Sequence, residues 1–227
     1  DRLLGIGQTA MRSVEDAIAD LQSIKALGLR GVMVPGNPAG PDFDDPQWAP
    51  FYEAAIDLEL PLSFHILTSG TDQLKARGPK LNAFMSIIRG CQDILGVFVF
   101  AGVFEGHPKL GVVCVEAPAG WVAHFMYRMD HAWQRHRYWL TAGALSRLPS
   151  EYFRECVYTT FQDDWVAFQV KDLCNIERLM WANDFPHSDS TWPDSQKPLR
   201  EQAAHLTEAE RDLVLHDNVA ALYQMRG

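Results

Sequence analysis

The stretch Trp181-Ala182-Asn183-Asp184-Phe185-Pro186-His187 decides how the rest of the chain is interpreted. Residues 179–182 form a short apolar run that ends in a turn, and this pattern predicts a buried strand. A carboxylate at the end of a buried strand is costly unless a metal ion or a partner receives its charge. Asp184 is therefore either a ligand or catalytic carboxylate at the carboxyl end of the strand, or a structural carboxylate that caps the next segment.

Two other apolar runs end in a side chain of the same kind. Residues 60–64 are followed by His65, and residues 110–115 are followed by Glu116. In both common parallel architectures, the active site lies at the carboxyl ends of the strands. We therefore expect His65, Glu116 and Asp184 to lie at one edge of a parallel sheet and to form one site.

Strands and helices alternate along the whole chain, which predicts a parallel sheet with right-handed crossovers. The predicted strands are residues 3–7, 30–34, 60–64, 110–115, 155–161 and 179–182. A complete eight-stranded barrel takes roughly 250 residues. Six strands in 227 residues therefore favour an α/β TIM-like (β/α)8 barrel that lacks its first one or two βα units. An open doubly wound sheet is the alternative, although no GxGxxG or GxxxxGK loop follows any strand.

Capping residues and apolar periodicity predict the helices between these strands. The predicted helices cover residues 14–27, a segment opened by Asp45-Pro46, residues 80–104, residues 121–140, a segment capped by Asp163 and a tail that begins at Thr207. The helix over residues 80–104 contains Gly90, Gly96 and Gly102, so we expect it to be broken. A loop over residues 68–79 precedes it, and residues 1–227 are predicted to form a single domain.

Composition narrows the kinds of partner. The formal net charge of -9 argues against nucleic acid, whose binding depends on basic contacts to phosphate. We find no run that is long and apolar enough to span a membrane. The four cysteines are far apart in the sequence, and we expect them to be reduced and mostly buried in a cytoplasmic protein. The chain opens with Asp1-Arg2 and enters an apolar run almost at once, so we expect that its start is missing.

The sequence resembles a known family in three places. These are His65 at the end of its run, the turn Glu116-Ala117-Pro118-Ala119-Gly120-Trp121, and the segment Asn183-Asp184-Phe185-Pro186-His187-Ser188-Asp189-Ser190-Thr191-Trp192-Pro193. Together they are similar to the amidohydrolase-related family of metal-dependent barrel enzymes, which includes aminocarboxymuconate-semialdehyde decarboxylase. The closing segment Asp217-Asn218-Val219-Ala220-Ala221-Leu222-Tyr223 resembles the final helix of that family.

The resemblance implies roles for individual residues. The strand-five histidine ligand of the family matches His65, and the strand-eight aspartate, which binds metal or a metal-bound water, matches Asp184. Glu116 stands where decarboxylase members often carry a catalytic histidine, and it is either catalytic or part of a buried ion pair. The acid-x-His or His-x-His pair of the family's first strand has no match in this sequence.

Three further residues are predicted to contact the substrate. Trp121 closely follows Glu116, Asn37 lies in a loop after a strand, and His187 lies in the turn after Asp184. We interpret Trp192, which lies in the same segment, as a packing residue; the alternative is that Phe64, Trp121 and Trp192 indicate an aromatic substrate.

The resemblance implies a metal-dependent hydrolase that acts on a small organic acid, ester, lactone or amide. Its divalent metal would be zinc, with manganese as the second choice, and it would activate a water whose proton Asp184 takes. Glu116 would serve as a second acid or base. The alternatives are a non-oxidative decarboxylase of an aromatic or unsaturated acid, and a non-catalytic barrel remnant. A homodimer is compatible with the family.

Overall fold

Six strands form one parallel sheet in which each strand pairs with the next one along the chain. The structure, a computed structural model, describes residues 3–65 and 78–225. The predicted loop over residues 68–79 therefore lies almost wholly outside the described residues. The strands are β1 (Gly7–Gln8), β2 (Val32–Pro35), β3 (Leu62–His65), β4 (Val112–Cys114), β5 (Val157–Phe161) and β6 (Leu179–Trp181).

Helices connect the strands and cover the sheet. They are α1 (Val14–Ala26), α2 (Ala49–Asp57), α3 (Phe84–Phe100), α4 (Val103–Gly106), α5 (Val122–His136), α6 (Pro149–Cys156), α7 (Trp165–Gln169), α8 (Gln196–Gln202), α9 (Glu208–Asp212) and α10 (Asn218–Leu222). Short 3-10 turns precede α2, α3 and β6, and a π-helical turn, Leu213–Asp217, joins α9 to α10.

The strand order identifies the architecture. A doubly wound sheet reverses its strand order at a switch point, whereas this sheet runs in simple sequence from β1 to β6. Consecutive parallel strands with a helix after each one are the repeating unit of a (β/α)8 barrel. The prediction of an α/β TIM-like barrel is thus confirmed, and the described residues form six consecutive units of it.

The first βα unit shows how the sequence specifies its local packing. The hydroxyl of Ser13 caps α1 by accepting a hydrogen bond from the Asp16 amide at 3.1 Å, as the sequence predicts. Leu21 and Ile24 on the same helix are buried against the sheet. Gly7 in β1 has no room for a side chain, because a Cβ atom there would lie 2.3 Å from the side chain of Ile24.

Helix α3 differs from the prediction in two respects. It runs without a break through Gly90 and Gly96, and ends at Phe100 before Gly102, whose φ of 81° lies in the left-handed region. The segment Lys80–Phe100 is also long and apolar enough to cross a membrane by length and composition alone. The prediction that no run of the sequence has this property is therefore wrong for this segment. One face of α3 buries apolar residues such as Ile94, Leu95 and Phe98 in the core, and 33% of the apolar window is buried.

Two other boundaries correct the prediction. Residues 155 and 156, which were predicted to begin a strand, instead end α6, and β5 begins at Val157. The cap of α7 is Asp164, whose side chain accepts from the Ala167 amide, rather than Asp163. By contrast, the predicted capping box of Thr207 and Glu210 is present, and all four cysteines are free and buried as expected.

The closing helix is fastened to the last strand through one buried amide. Asn218 donates hydrogen bonds to the carbonyls of Ile176 and Leu179, at 2.7 and 2.8 Å. Replacing Asn218 by alanine should lower the free energy of unfolding by about 2–3 kcal/mol, because two carbonyls lose their donor. Urea denaturation would measure the change.

Gln224 supplies a control for that measurement. Its side-chain amide also donates to a carbonyl, that of Glu59, but at 3.4 Å and in an exposed contact. Gln224→Ala should cost less than about 0.5 kcal/mol. Equal losses in the two variants would contradict the assigned role of Asn218.

Candidate active site

The carboxyl ends of the strands bring the predicted residues together. His65 is the last residue of β3 and lies opposite Pro35 of β2. Phe64 pairs with Cys114, so Glu116 follows β4 by two residues at the same edge. Asp184 follows the last residue of β6 by three. The strand register therefore places His65, Glu116 and Asp184 at one edge of the parallel sheet, as the sequence predicts.

Both carboxylates leave their strands through an unusual backbone conformation. Glu116 has a φ of 56° and Asp184 a φ of 58°, in the left-handed region that costs a residue with a Cβ atom roughly 1–2 kcal/mol. Local hydrogen bonds support each turn. Thr160 of the neighbouring strand accepts from the Glu116 amide at 3.0 Å, and the His187 amide donates to the Asp184 carbonyl at 2.8 Å. Such strain is characteristic of functional sites.

Four side chains form the centre of the site. Nε2 of His65 lies 2.6 Å from Oε2 of Glu116. The other carboxylate oxygen of Glu116 lies 3.3 Å from Nδ1 of His187, and the same nitrogen lies 2.9 Å from Oδ2 of Asp184. The site is thus a chain of alternating imidazoles and carboxylates.

Exposure differs between the members of this chain. The side chains of His65, Glu116 and Asp184 are 16%, 21% and 19% exposed, whereas that of His187 is 52% exposed. The hydrogen bond that the imidazole of His187 donates to the carboxylate of Asp184 raises the pKa of His187 above its usual value, and the charges of Asp184 and Glu116 add to the effect. The raised pKa extends the protonated form of His187 to higher pH, and the half-exposed ring lies where a bound molecule can reach it.

The ligand atoms of Glu116, Asp184 and His187 lie within 4.8 Å of one another, close enough to hold one metal ion. His65 adds a second imidazole beside Glu116. Carboxylate oxygens and imidazole nitrogens are donors that suit manganese or zinc. By its donor chemistry the site fits a divalent cation of this type.

The turn after Glu116 is held by an acidic residue from the next βα unit. One carboxylate oxygen of Asp164 accepts hydrogen bonds from the amides of Ala119 and Gly120, both at 2.7 Å. Position 120 requires glycine, because a Cβ atom there would lie 2.7 Å from the side chain of Val166. Asp164 is buried, and it therefore fixes the turn that begins at Glu116 to the start of α7.

The structure does not bring Asn37 and Trp121 into contact with the four central side chains in any described interaction. Asn37 lines a cleft of about 380 Å³ with Ser86 and Arg89, and none of the four central side chains is among the residues that line this cleft. The indole of Trp121 packs edge-on against Phe125 at 5.4 Å. Its Nε1 is buried and has no hydrogen-bond partner among residues 3–65 and 78–225. The roles of Asn37 and Trp121 in substrate binding stay predictions.

The central position of His187 is the part of the site that the sequence did not indicate. The sequence assigned this residue to the turn and to substrate contact, whereas its ring lies between the two carboxylates. The available signal was its spacing, three residues after Asp184 across Phe185-Pro186. That spacing brings the two side chains together only because the chain turns sharply at Asp184.

Comparison with known proteins identifies the family. A family model described as amidohydrolase matches residues 1–225. The chain belongs to this amidohydrolase family. The resemblance drawn from His65, the turn at Glu116 and the segment at Asp184 is therefore confirmed, and membership supports an enzymatic role.

Solved structures with the same fold include three aromatic-acid decarboxylases. The 5-carboxyvanillate decarboxylase from Sphingomonas paucimobilis is 20% identical, with a TM-score of 0.81 over 99% of this chain and 68% of that one. The corresponding enzyme from Novosphingobium aromaticivorans, a mutant with bound manganese and 3-methoxy-4-hydroxy-5-nitrobenzoic acid, is 18% identical, with a TM-score of 0.83 over 99% and 66%. A 2,6-dihydroxybenzoate decarboxylase from Rhizobium is 20% identical, with a TM-score of 0.74 over 100% and 72%.

At these identities the likeness concerns the fold. The chain spans about two thirds of the length of these proteins. The barrel assignment is confirmed, and the reaction has to be argued from the site itself.

The anchoring role of Asp164 can be tested by stability. Asp164→Ala removes the acceptor for two backbone amides and the cap of α7, so it should cost about 2–4 kcal/mol in the free energy of unfolding. Asp163→Ala is the matched control, because Asp163 is adjacent and exposed, and it should cost less than about 1 kcal/mol. Thermal and urea unfolding would measure both, and a larger loss for Asp163→Ala would contradict the assignment.

Proposed function

We propose that this protein is a metal-dependent, non-oxidative decarboxylase that acts on an aromatic or unsaturated carboxylic acid. The observation that carries the proposal is the half-exposed imidazole of His187 in contact with the carboxylates of both Glu116 and Asp184. Such an arrangement can hold a proton beside a bound substrate. The decarboxylases of the same fold support this reaction over the hydrolysis that the sequence favoured.

The cation would be held by three of the four central groups. We assign the cation to His65, Glu116 and Asp184, which would supply one imidazole and two carboxylates, the three protein ligands of a typical catalytic metal site. His187, whose ligand atom also lies within 4.8 Å of those of both carboxylates, is half exposed and is assigned to proton transfer instead. The predominance of oxygen donors makes manganese the first cation to test, ahead of zinc. When bound, the cation would hold the carboxylate of the substrate and a neighbouring oxygen and stabilise negative charge there.

His187 would supply the proton. Its Nδ1 faces Asp184 and Glu116, so Nε2 is the nitrogen left to deliver a proton to the substrate. The bond between the substrate carbon and its carboxylate breaks, carbon dioxide leaves, and the electron pair stays on carbon. That carbon then takes the proton from Nε2 of His187, and a proton from solvent restores the imidazolium.

Hydrolysis of a lactone, ester or amide is the second candidate. The observation that favours it is the pair of partly buried carboxylates, since one of them can take a proton from an attacking water. The family description is compatible with this reaction.

The four buried, free cysteines support the cytoplasm as the proposed compartment.

Metal content and turnover separate the proposed roles. His187→Gln should retain manganese and lower kcat by about 10²–10⁴-fold, the usual contribution of a positioned acid. Asp184→Asn should lose both the metal and the activity. Elemental mass spectrometry on purified protein would measure metal, and carbon dioxide release from a panel of hydroxybenzoates and unsaturated acids would measure turnover.

His216→Gln is the matched control, because Nδ1 of His216 also pairs with an aspartate, Asp217 at 2.7 Å, and is exposed. This variant should leave metal content and turnover unchanged. Loss of metal in His187→Gln would contradict its role as proton donor. Consumption of lactones or esters without release of carbon dioxide from any acid would favour the hydrolase instead.

A further inference from the structure

Two exposed aromatic side chains follow Asp184 in the sequence. Phe185 directly follows Asp184, and Trp192 follows it by eight residues. Their ring centroids lie 4.9 Å apart at 65°, an edge-to-face contact. The two residues are nevertheless 57% and 58% exposed, so the pair contacts itself and leaves much of both rings in water.

Hydrogen bonds within the loop hold this pair close to the site. The amide of Thr191 donates to the carbonyl of Asn183 at 3.1 Å, and the hydroxyl of Ser190 donates to the same carbonyl at 2.6 Å. The amide of Trp192 donates to the Ser190 hydroxyl at 3.0 Å. Asn183 immediately precedes Asp184, so these bonds return the chain to its starting point and fix Trp192 beside the segment that carries Asp184.

Packing in the core does not explain the presence of a tryptophan at position 192. The sequence suggests a packing role, but a residue that is 58% exposed buries too little of its ring to contribute much to a core. The surrounding segment is polar, with Ser188, Asp189 and Ser190 between the two rings. Two aromatic faces held in water next to a charged site are what a planar ligand requires, since aromatic rings favour edge-to-face and offset-stacked contacts.

We infer that Phe185 and Trp192 form a platform on which the ring of a planar aromatic acid packs while its carboxylate faces the cation that Glu116 and Asp184 would hold. This inference rests on the proposed function and narrows its substrate to aromatic acids. The platform selects for a flat π-system, because a saturated ring of the same size and charge cannot make the stacked contact. Trp192 is accordingly a specificity residue and takes no part in proton transfer.

Benzoate and cyclohexanecarboxylate are the probes that isolate this contact, because they share charge and size and differ in planarity. Titration calorimetry on the manganese-loaded protein would give both dissociation constants. The wild-type protein should prefer benzoate by about fivefold or more, the usual value of an aromatic contact. Trp192→Leu should remove most of this preference, and Trp192→Phe should keep most of it.

Trp139→Leu is the control for the loss of an exposed indole. Trp139 is 69% exposed and follows the end of α5, which in a βα unit lies at the opposite edge of the sheet from the site. This variant should keep the preference for benzoate. Circular dichroism would establish that each variant folds, and Trp192→Phe tests the inference should Trp192→Leu fail to fold.

The outcomes separate the platform from the reaction. A wild-type protein without a preference, or a Trp192→Leu variant that keeps it, would overturn the platform even if aromatic acids are decarboxylated. A preference that depends on Trp192 in a protein that releases no carbon dioxide would support the platform and overturn the proposed reaction. If Trp192→Leu changes only the oligomeric state in size-exclusion chromatography, the rings form a subunit contact and the platform is excluded.

Discussion

Two carboxylates placed side by side determine what this site requires. Ligand atoms of Glu116 and Asp184 lie within 4.8 Å of each other, a separation at which two full charges repel by about 3 kcal/mol at an effective dielectric constant of 20. A positive charge has to offset this repulsion. A protonated His187 would do so from the solvent side, His65 contacts Glu116 from the strand, and a divalent cation between the carboxylates would do so more strongly. The proposed proton donor and the proposed metal site therefore depend on the same charge balance.

The backbone maintains this arrangement against its own preference. Glu116 and Asp184 both adopt the left-handed conformation, which a residue with a side chain avoids unless its surroundings compensate. Support for Glu116 comes from the next βα unit, through Thr160 at its amide and Asp164 under the turn that follows. Support for Asp184 is local and comes from the hydrogen bonds of its own loop. The carboxylate on β4 thus depends on the integrity of the barrel, whereas the one after β6 depends on a single segment.

The sequence predicts the strands and the three residues at their ends, because apolar runs that stop at a charged residue are a local signal. It does not predict the partners that lie across a turn. The central position of His187 depends on the φ of Asp184, which no local pattern reveals for a non-glycine residue. The choice of Asp164 over Asp163 as the cap of α7 similarly depends on which carboxylate faces Ala119 and Gly120, a contact 44 or 45 residues away in sequence. Helix α6 was missed because it passes directly into β5 without a turn residue between them.

The distribution of exposure within the site bears on the reaction. A hydrolytic base has to lie where water attacks, next to the cation, while a proton donor to carbon has to reach a substrate ring held above it. Here the carboxylates are about four fifths buried, and the imidazole between them is half exposed. The carboxylates therefore form the more buried part of the site, and the imidazole of His187 forms its exposed part. If the buried carboxylates hold the cation and the exposed imidazole donates the proton, as proposed, this arrangement suits release of carbon dioxide and protonation of carbon better than attack by water.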